Sequence, residues 1–129
     1  MTEKDVKDYI LLQDKFQVRC EEVCGLLIPL NDSYKCLSDF EIYSDPDEVF
    51  GEGDEYWEYG GHEHHSQKFP LNFLWKDDEE IKQYVENELN KRREAEEAER
   101  LRIQKVQKEF HRWILYNAFL VPYGQPEHP

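Results

Sequence analysis

No apolar run in this chain approaches the roughly 20 residues that a membrane helix requires. Its opening stretch, MTEKDVKDYILLQDKF, lacks a basic segment followed by an apolar core and a cleavage site, so no secretory signal is expected. Cysteine is scarce: Cys20, Cys24 and Cys36 form an odd set without framework spacing. That favours a reducing, cytoplasmic setting over a disulfide scaffold. There is no GxSxG, no phosphate-binding glycine loop and no HExxH, so no reaction class is marked out. Lysine and arginine are missing from Asp39 to Glu63, a stretch that holds ten acids. That stretch cannot neutralise a phosphate backbone, so direct nucleic-acid binding by it is not expected.

What is present is a folded, strongly acidic chain. Its 129 residues fit a single domain spanning 1–129, large enough to bury a core without metal or disulfide staples. A 14% aromatic share argues against disorder, although 35% of residues are charged. The net charge of −13 is uneven: residues 1–60 carry −11 and residues 61–129 carry −2. A basic protein surface is the natural partner for such a half.

The pattern predicts an α+β fold: an N-terminal helix over 1–28, a three- to four-stranded antiparallel β-meander over 37–70, a long helix over 77–117 and a flexible tail at 122–129. Thr2 can cap the first helix, and Val6, Tyr9, Ile10, Phe16, Cys20, Val23 and Cys24 recur near helical spacing. Gly25 or the break before Pro29 would end it. PLNDSYK reads as a loop. SDFEIYS alternates, placing Phe40 and Ile42 opposite Glu41 and Tyr43. SDPDE is a turn, EVF a short strand, GEGD a hairpin connection and EYWEYG a further strand. HEHHSQKF follows as a strand that Pro70 ends, and LNFLW forms an apolar plug.

Asp77 or Asp78 can cap the long helix. At about 1.5 Å per residue it would be near 60 Å long, so it is expected to break or to extend past the globular part. Its polar middle offers Glu88–Arg92 and Glu96–Arg100 as i,i+4 pairs. Apolar spacing returns at Leu101, Val106, Phe110, Trp113 and Ile114, and continues to Val121. These residues are the candidates for packing against a second copy.

Three constellations carry candidate chemistry. In HEHH, strand alternation puts His62 and His64 on one face and Glu63 and His65 on the other. An i,i+2 pair supplies only two metal ligands, and others such as Glu58 or Tyr56 would have to come from across a hairpin. The ordinary alternative is an exposed polar strand face. Cys20 and Cys24 share a helix face and would need Cys36 and a histidine to hold a metal; as small core residues they need nothing more. No metal and no cofactor is expected. The acidic meander is the strongest feature, because crowded carboxylates cost self-repulsion unless a basic surface meets them. Its candidate partner-binding residues are Asp45, Asp47, Glu48, Glu52, Asp54, Glu55, Trp57 and Glu58.

The stretch DEYWEYGGHEHHSQKFPLNFLW, followed by KDDEE, resembles a pattern in small uncharacterised acidic accessory proteins of phages and mobile elements. The resemblance covers about residues 54–80. It implies a setting, the host cell cytosol, in which many such proteins disable nucleic-acid-handling defence proteins, and it transfers no catalytic residue. The expected function is a non-enzymatic protein-binding module that occupies a basic, nucleic-acid-binding surface of a host protein. The alternatives are a self-assembling accessory protein that uses the long helix, and a metal-dependent enzyme at His62 and His64.

Overall fold

The computed structural model describes residues 1–45 and 47–120, with side chains up to residue 118. Helix α1 (Glu3–Leu27) starts at Thr2 as expected. The Asp5 N–H donates to Thr2 Oγ1 at 3.1 Å, and the Thr2 N–H donates to the Asp5 carboxylate at 2.9 Å. This reciprocal box satisfies N–H groups that a helix start otherwise leaves open. Gly25 does not end the helix; it keeps a helical backbone, and the chain leaves the helix after Leu27, just before Pro29. The apolar face is also shorter than its spacing suggests. Cys20, Val23, Cys24 and Leu27 are buried, whereas Val6, Tyr9, Ile10, Leu11 and Leu12 stay exposed.

The stretch expected to be a loop contains a short 3-10 helix, Asp32–Cys36. The Asn31 side chain accepts from the Ser33 N–H at 2.9 Å and starts it. Tyr34 is buried, and its hydroxyl donates to the Lys68 carbonyl at 2.8 Å.

Strands β1 (Asp39–Ser44), β2 (Asp47–Tyr56) and β3 (His62–Pro70) form one antiparallel sheet in the order β1-β2-β3. GEGD is therefore not a hairpin connection. It lies within β2, which runs unbroken where two short strands were expected. The glycines answer crowding rather than turning: a Cβ on Gly53 would lie 1.8 Å from the Cys36 carbonyl oxygen, and one on Gly51 would lie 2.8 Å from the Phe40 ring. The β2–β3 connection is instead Trp57–Gly61, so EYWEYG is a strand only up to Tyr56. There Gly60 takes φ +81°, and the Trp57 N–H donates to the Gly61 carbonyl at 2.9 Å. The register pairs Asp54 with His64, Glu55 with Glu63, Val49 with Phe69 and Ile42 with Val49.

After Pro70 a second 3-10 turn, Leu71–Leu74, drives Phe73 into the core as the expected plug. Helix α2 (Asp78–Leu120) follows, and Asp77 is its cap, accepting from the Glu79 N–H at 3.2 Å. The helix runs past the expected end near residue 117. Val121 and the tail 122–129 lie outside the described residues.

The chain divides into two units, Met1–Leu89 and Asn90–Pro129. In the first, α1 contributes Cys20, Val23, Cys24 and Leu27 to the core, and the first 3-10 segment and the residue after it contribute Tyr34 and Leu37. Val49, Phe69 and Phe73 come from the sheet and the plug, and Ile81 and Val85 from the start of α2. Arg19 ties this together. Its guanidinium donates to the carbonyls of Leu74 (3.0 Å), Phe73 (3.3 Å) and Lys76 (2.7 Å), and it pairs with Asp78 at 2.7 Å and Glu22 at 3.0 Å. The fork thus supplies donors to carbonyls where the chain turns from the plug into α2.

In the second unit, α2 carries short-range ion pairs. Arg100 pairs with Glu97, one residue nearer than the expected Glu96, and Arg102 pairs with Glu99 at 2.6 Å. Leu101, Val106, Phe110, Trp113 and Ile114 are all exposed, and the Phe110 and Trp113 rings stack at 6.2 Å.

Substitutions at Arg19 and Gly53 test these contacts. Arg19→Met keeps the apolar stem and removes every donor, so urea unfolding should show a loss of about 2–3 kcal/mol. Arg19→Lys should recover only part of it, because one ammonium cannot fork to several carbonyls. Gly53→Ala should lower the thermal midpoint more than Gly60→Ala, since it forces a side chain into backbone rather than merely straining φ.

Candidate functional site

Strand alternation divides the meander into two faces with different chemistry. On the outer face β1 contributes Asp39, Glu41 and Tyr43, β2 contributes Glu48, Phe50, Glu52, Asp54 and Tyr56, and β3 contributes His62, His64, Ser66 and Lys68. Five of the eight carboxylates on these strands share one surface with a single lysine. Tyr43 lies against Phe50 at 5.8 Å, and Tyr56 stacks on His62 at 4.9 Å.

Of the eight residues that sequence reasoning named as partner-binding, the sheet gathers Glu48, Glu52 and Asp54 on this face. Asp47 and Glu55 alternate to the opposite face. Asp45 sits at the β1–β2 turn, and Trp57 and Glu58 sit in the β2–β3 turn. Trp57 lies over Gly61, where an added Cβ would meet its ring at 2.1 Å. Asp39 and Glu41 join the face although they were not named. The alternation of SDFEIYS assigns Glu41 and Tyr43 to one side, but only the register aligns that side with Glu48, Glu52 and Asp54.

The outer acids are partly answered from β3. His64 donates from Nδ1 to Asp54 Oδ1 at 2.9 Å, with Nε2 3.5 Å from Glu52. His62 donates from Nε2 to the same Asp54 oxygen at 2.9 Å, and Lys68 lies 3.6 Å from Glu48. The bond to Asp54 holds the His64 imidazole above its ordinary value of 6.5, with the Asp54 and Glu52 charges adding to it. The bonds from His64, then His62, hold the Asp54 carboxyl below its usual value. His62 and His64 do share a face, as expected, and what they share on it is a carboxylate.

The opposite face carries a second cluster where the sheet meets the first 3-10 segment. His65 stands with Nδ1 2.9 Å from Ser33 Oγ and Nε2 3.1 Å from Glu55 Oε2. The Cys36 thiol donates to the same Glu55 oxygen at 3.6 Å. Among the described residues, Cys36, Glu55 and His65 are the one group of three such side chains whose donor atoms lie within 4.8 Å of one another. Partial burial and the neighbouring Glu55 charge push the Cys36 thiol up, which leaves it poorly suited to attack an electrophile. Sequence reasoning split this group: HEHH put His65 on the side away from His62, but nothing in the spacing tied it to Cys36. Cys20 and Cys24 belong to the core, where burial pushes both thiols up to about 12, so they do not join Cys36 in a metal set.

No family model, curated protein or solved structure matches this chain.

His64 allows a direct check. A folded-state value raised above the unfolded one contributes stability that is complete below about pH 6.5 and is lost as pH rises through the folded value. In an NMR titration His64 should therefore titrate above 6.5, and Asp54→Asn should bring it back toward that value. Equal midpoints in the two proteins would remove Asp54 as the cause.

Proposed function

We propose that the chain is a protein-binding module that offers the outer face of its sheet to a basic surface of another protein. The reading is carried by one observation: Asp39, Glu41, Glu48, Glu52 and Asp54 share a face with Tyr43, Phe50 and Tyr56, and Lys68 is that face's only lysine or arginine. Carboxylates at strand spacings of about 4.8 and 6.8 Å, interleaved with rings, offer negative charge and flat apolar area together. Basic grooves that bind nucleic acid accept both through cations and aromatic platforms. The specific form of the proposal follows the resemblance: an accessory protein of a phage or mobile element that occupies such a groove on a host defence protein. The module needs no catalytic residue for this role.

The test compares the wild type with an Asp39→Lys, Glu41→Lys, Glu52→Lys triple variant, both immobilised and exposed to nuclease-treated host lysate. Basic, nucleic-acid-handling proteins should be held by the wild type, released at about 0.5 M salt and missing from the variant, whose circular dichroism spectrum should be unchanged. Identical captured sets on the two proteins would reject the proposal.

A second reading rests on a separate observation, the exposed Leu101, Val106, Phe110, Trp113 and Ile114 on α2. Side chains of this size left in water along one helix suit self-assembly. Light scattering should then give a mass above that of one chain at micromolar concentration. Phe110→Glu with Trp113→Glu should return it to a monomer. A wild-type monomer sinks this reading and leaves the first intact.

A further inference from the structure

We propose that Cys36, Glu55 and His65 form a binding site for one thiophilic divalent cation, with zinc the best fit. The three ligands come from three segments: the first 3-10 helix, β2 and β3. Zinc accepts thiolate, imidazole and carboxylate together, at bond lengths of about 2.0–2.3 Å. A tetrahedral ion with those bonds holds its ligand atoms about 3.3–3.8 Å apart. Here Cys36 Sγ is 3.6 Å and His65 Nε2 is 3.1 Å from Glu55 Oε2, so small side-chain adjustments suffice. The cation would replace the thiol proton, which is released to solvent, and would take the lone pair of His65 Nε2, the ring's one proton standing on Nδ1. A water would complete the tetrahedron.

The surroundings fit this role on three independent counts. First, Ser33 Oγ lies 2.9 Å from His65 Nδ1. A proton on Nδ1 donated to that hydroxyl leaves Nε2 with its lone pair toward Glu55 and Cys36, as a bound metal requires. Second, Glu55 stands directly opposite Glu63 across the β2–β3 ladder, and both carboxylates face the same imidazole nitrogen, at 3.1 and 3.8 Å. Like charges so placed repel, and a bound cation gives both carboxylates one positive centre. Third, the ligands are held by their frame. Gly53 lets the Cys36 backbone press on β2, Tyr34 anchors the same turn to the Lys68 carbonyl at 2.8 Å, and the His65 side chain is only 12% exposed. On the outer face His62 and His64 both bond to Asp54, but these three do not bring one donor atom each within 4.8 Å of one another, and no thiol joins them.

The test uses the full chain, stripped with chelator and titrated with cobalt(II) for spectroscopy and zinc(II) for calorimetry. Cobalt should bind one per chain with a thiolate-to-metal charge-transfer band and the visible bands of a tetrahedral ion. Cys36→Ser should abolish the charge-transfer band, His65→Gln should weaken zinc binding about 100-fold or more, and Ser33→Ala should weaken it about tenfold. A His62→Gln, His64→Gln double variant should keep both the band and the affinity. Wild-type protein that binds cobalt without a thiolate band, or does not bind it, overturns the proposal without recourse to any variant. Loss of affinity in the His62, His64 variant with retention in Cys36→Ser overturns it equally.

Discussion

The approach of one backbone to another at Gly53 is the constraint on which most of the first unit depends. With a Cβ at that position 1.8 Å from the Cys36 carbonyl oxygen, no other residue lets the first 3-10 segment lie on β2. Lying there, the segment buries Tyr34, and Leu37 just after it, over the sheet. The Ser38 N–H then reaches the Glu52 carbonyl at 3.0 Å, so the ladder continues past the start of β1. The same seating brings Ser33 and Cys36 to His65 and Glu55. A missing side chain thus creates both a lid on the core and a polar cluster at its edge.

The sheet then separates two kinds of negative charge that look alike in the sequence. Outer carboxylates meet water and two exposed histidines, where solvent screens them and any partner must compete with it. Glu55, on the other face, sits half-buried beside a thiol and a largely buried imidazole. There the same charge is screened less, so it demands a definite counter-ion. Net charge alone cannot distinguish these cases, although the proposed ligands differ: a broad basic surface for one and a single ion for the other.

Much of the architecture was legible because it rests on local chemistry. Thr2 and Asp77 announce helix starts through short-range hydrogen bonds. The alternation in SDFEIYS and HEHHSQKF marks strands and assigns their faces correctly. GEGD misled because glycines in a polar run are the usual sign of a turn, whereas here they make room for Phe40 and the Cys36 carbonyl, contacts that no local window contains. Register was hidden for the same reason. Asp39 and Glu41 join Glu52 and Asp54, and Cys36 joins His65, only through pairings across long stretches of chain. The apolar first half of α1 was overread, since spacing marks a face that can be buried but not whether the chain buries it.

The acidic face belongs to the first unit, and the exposed Leu101, Val106, Phe110 and Trp113 belong to the second. Their physics differs in sign. Added salt weakens attraction between exposed charges and leaves apolar association intact, and excluded salts such as sulfate strengthen it. Exposed ion pairs such as Glu99–Arg102 are screened by solvent and do little to offset leaving large rings in water along α2. The helix therefore gains most where those rings are covered, and the sheet gains most where its carboxylates are met. On the two proposed readings the chain would assemble through one surface and hold a basic partner with the other, and raising ionic strength would dissolve the second contact while the first persists.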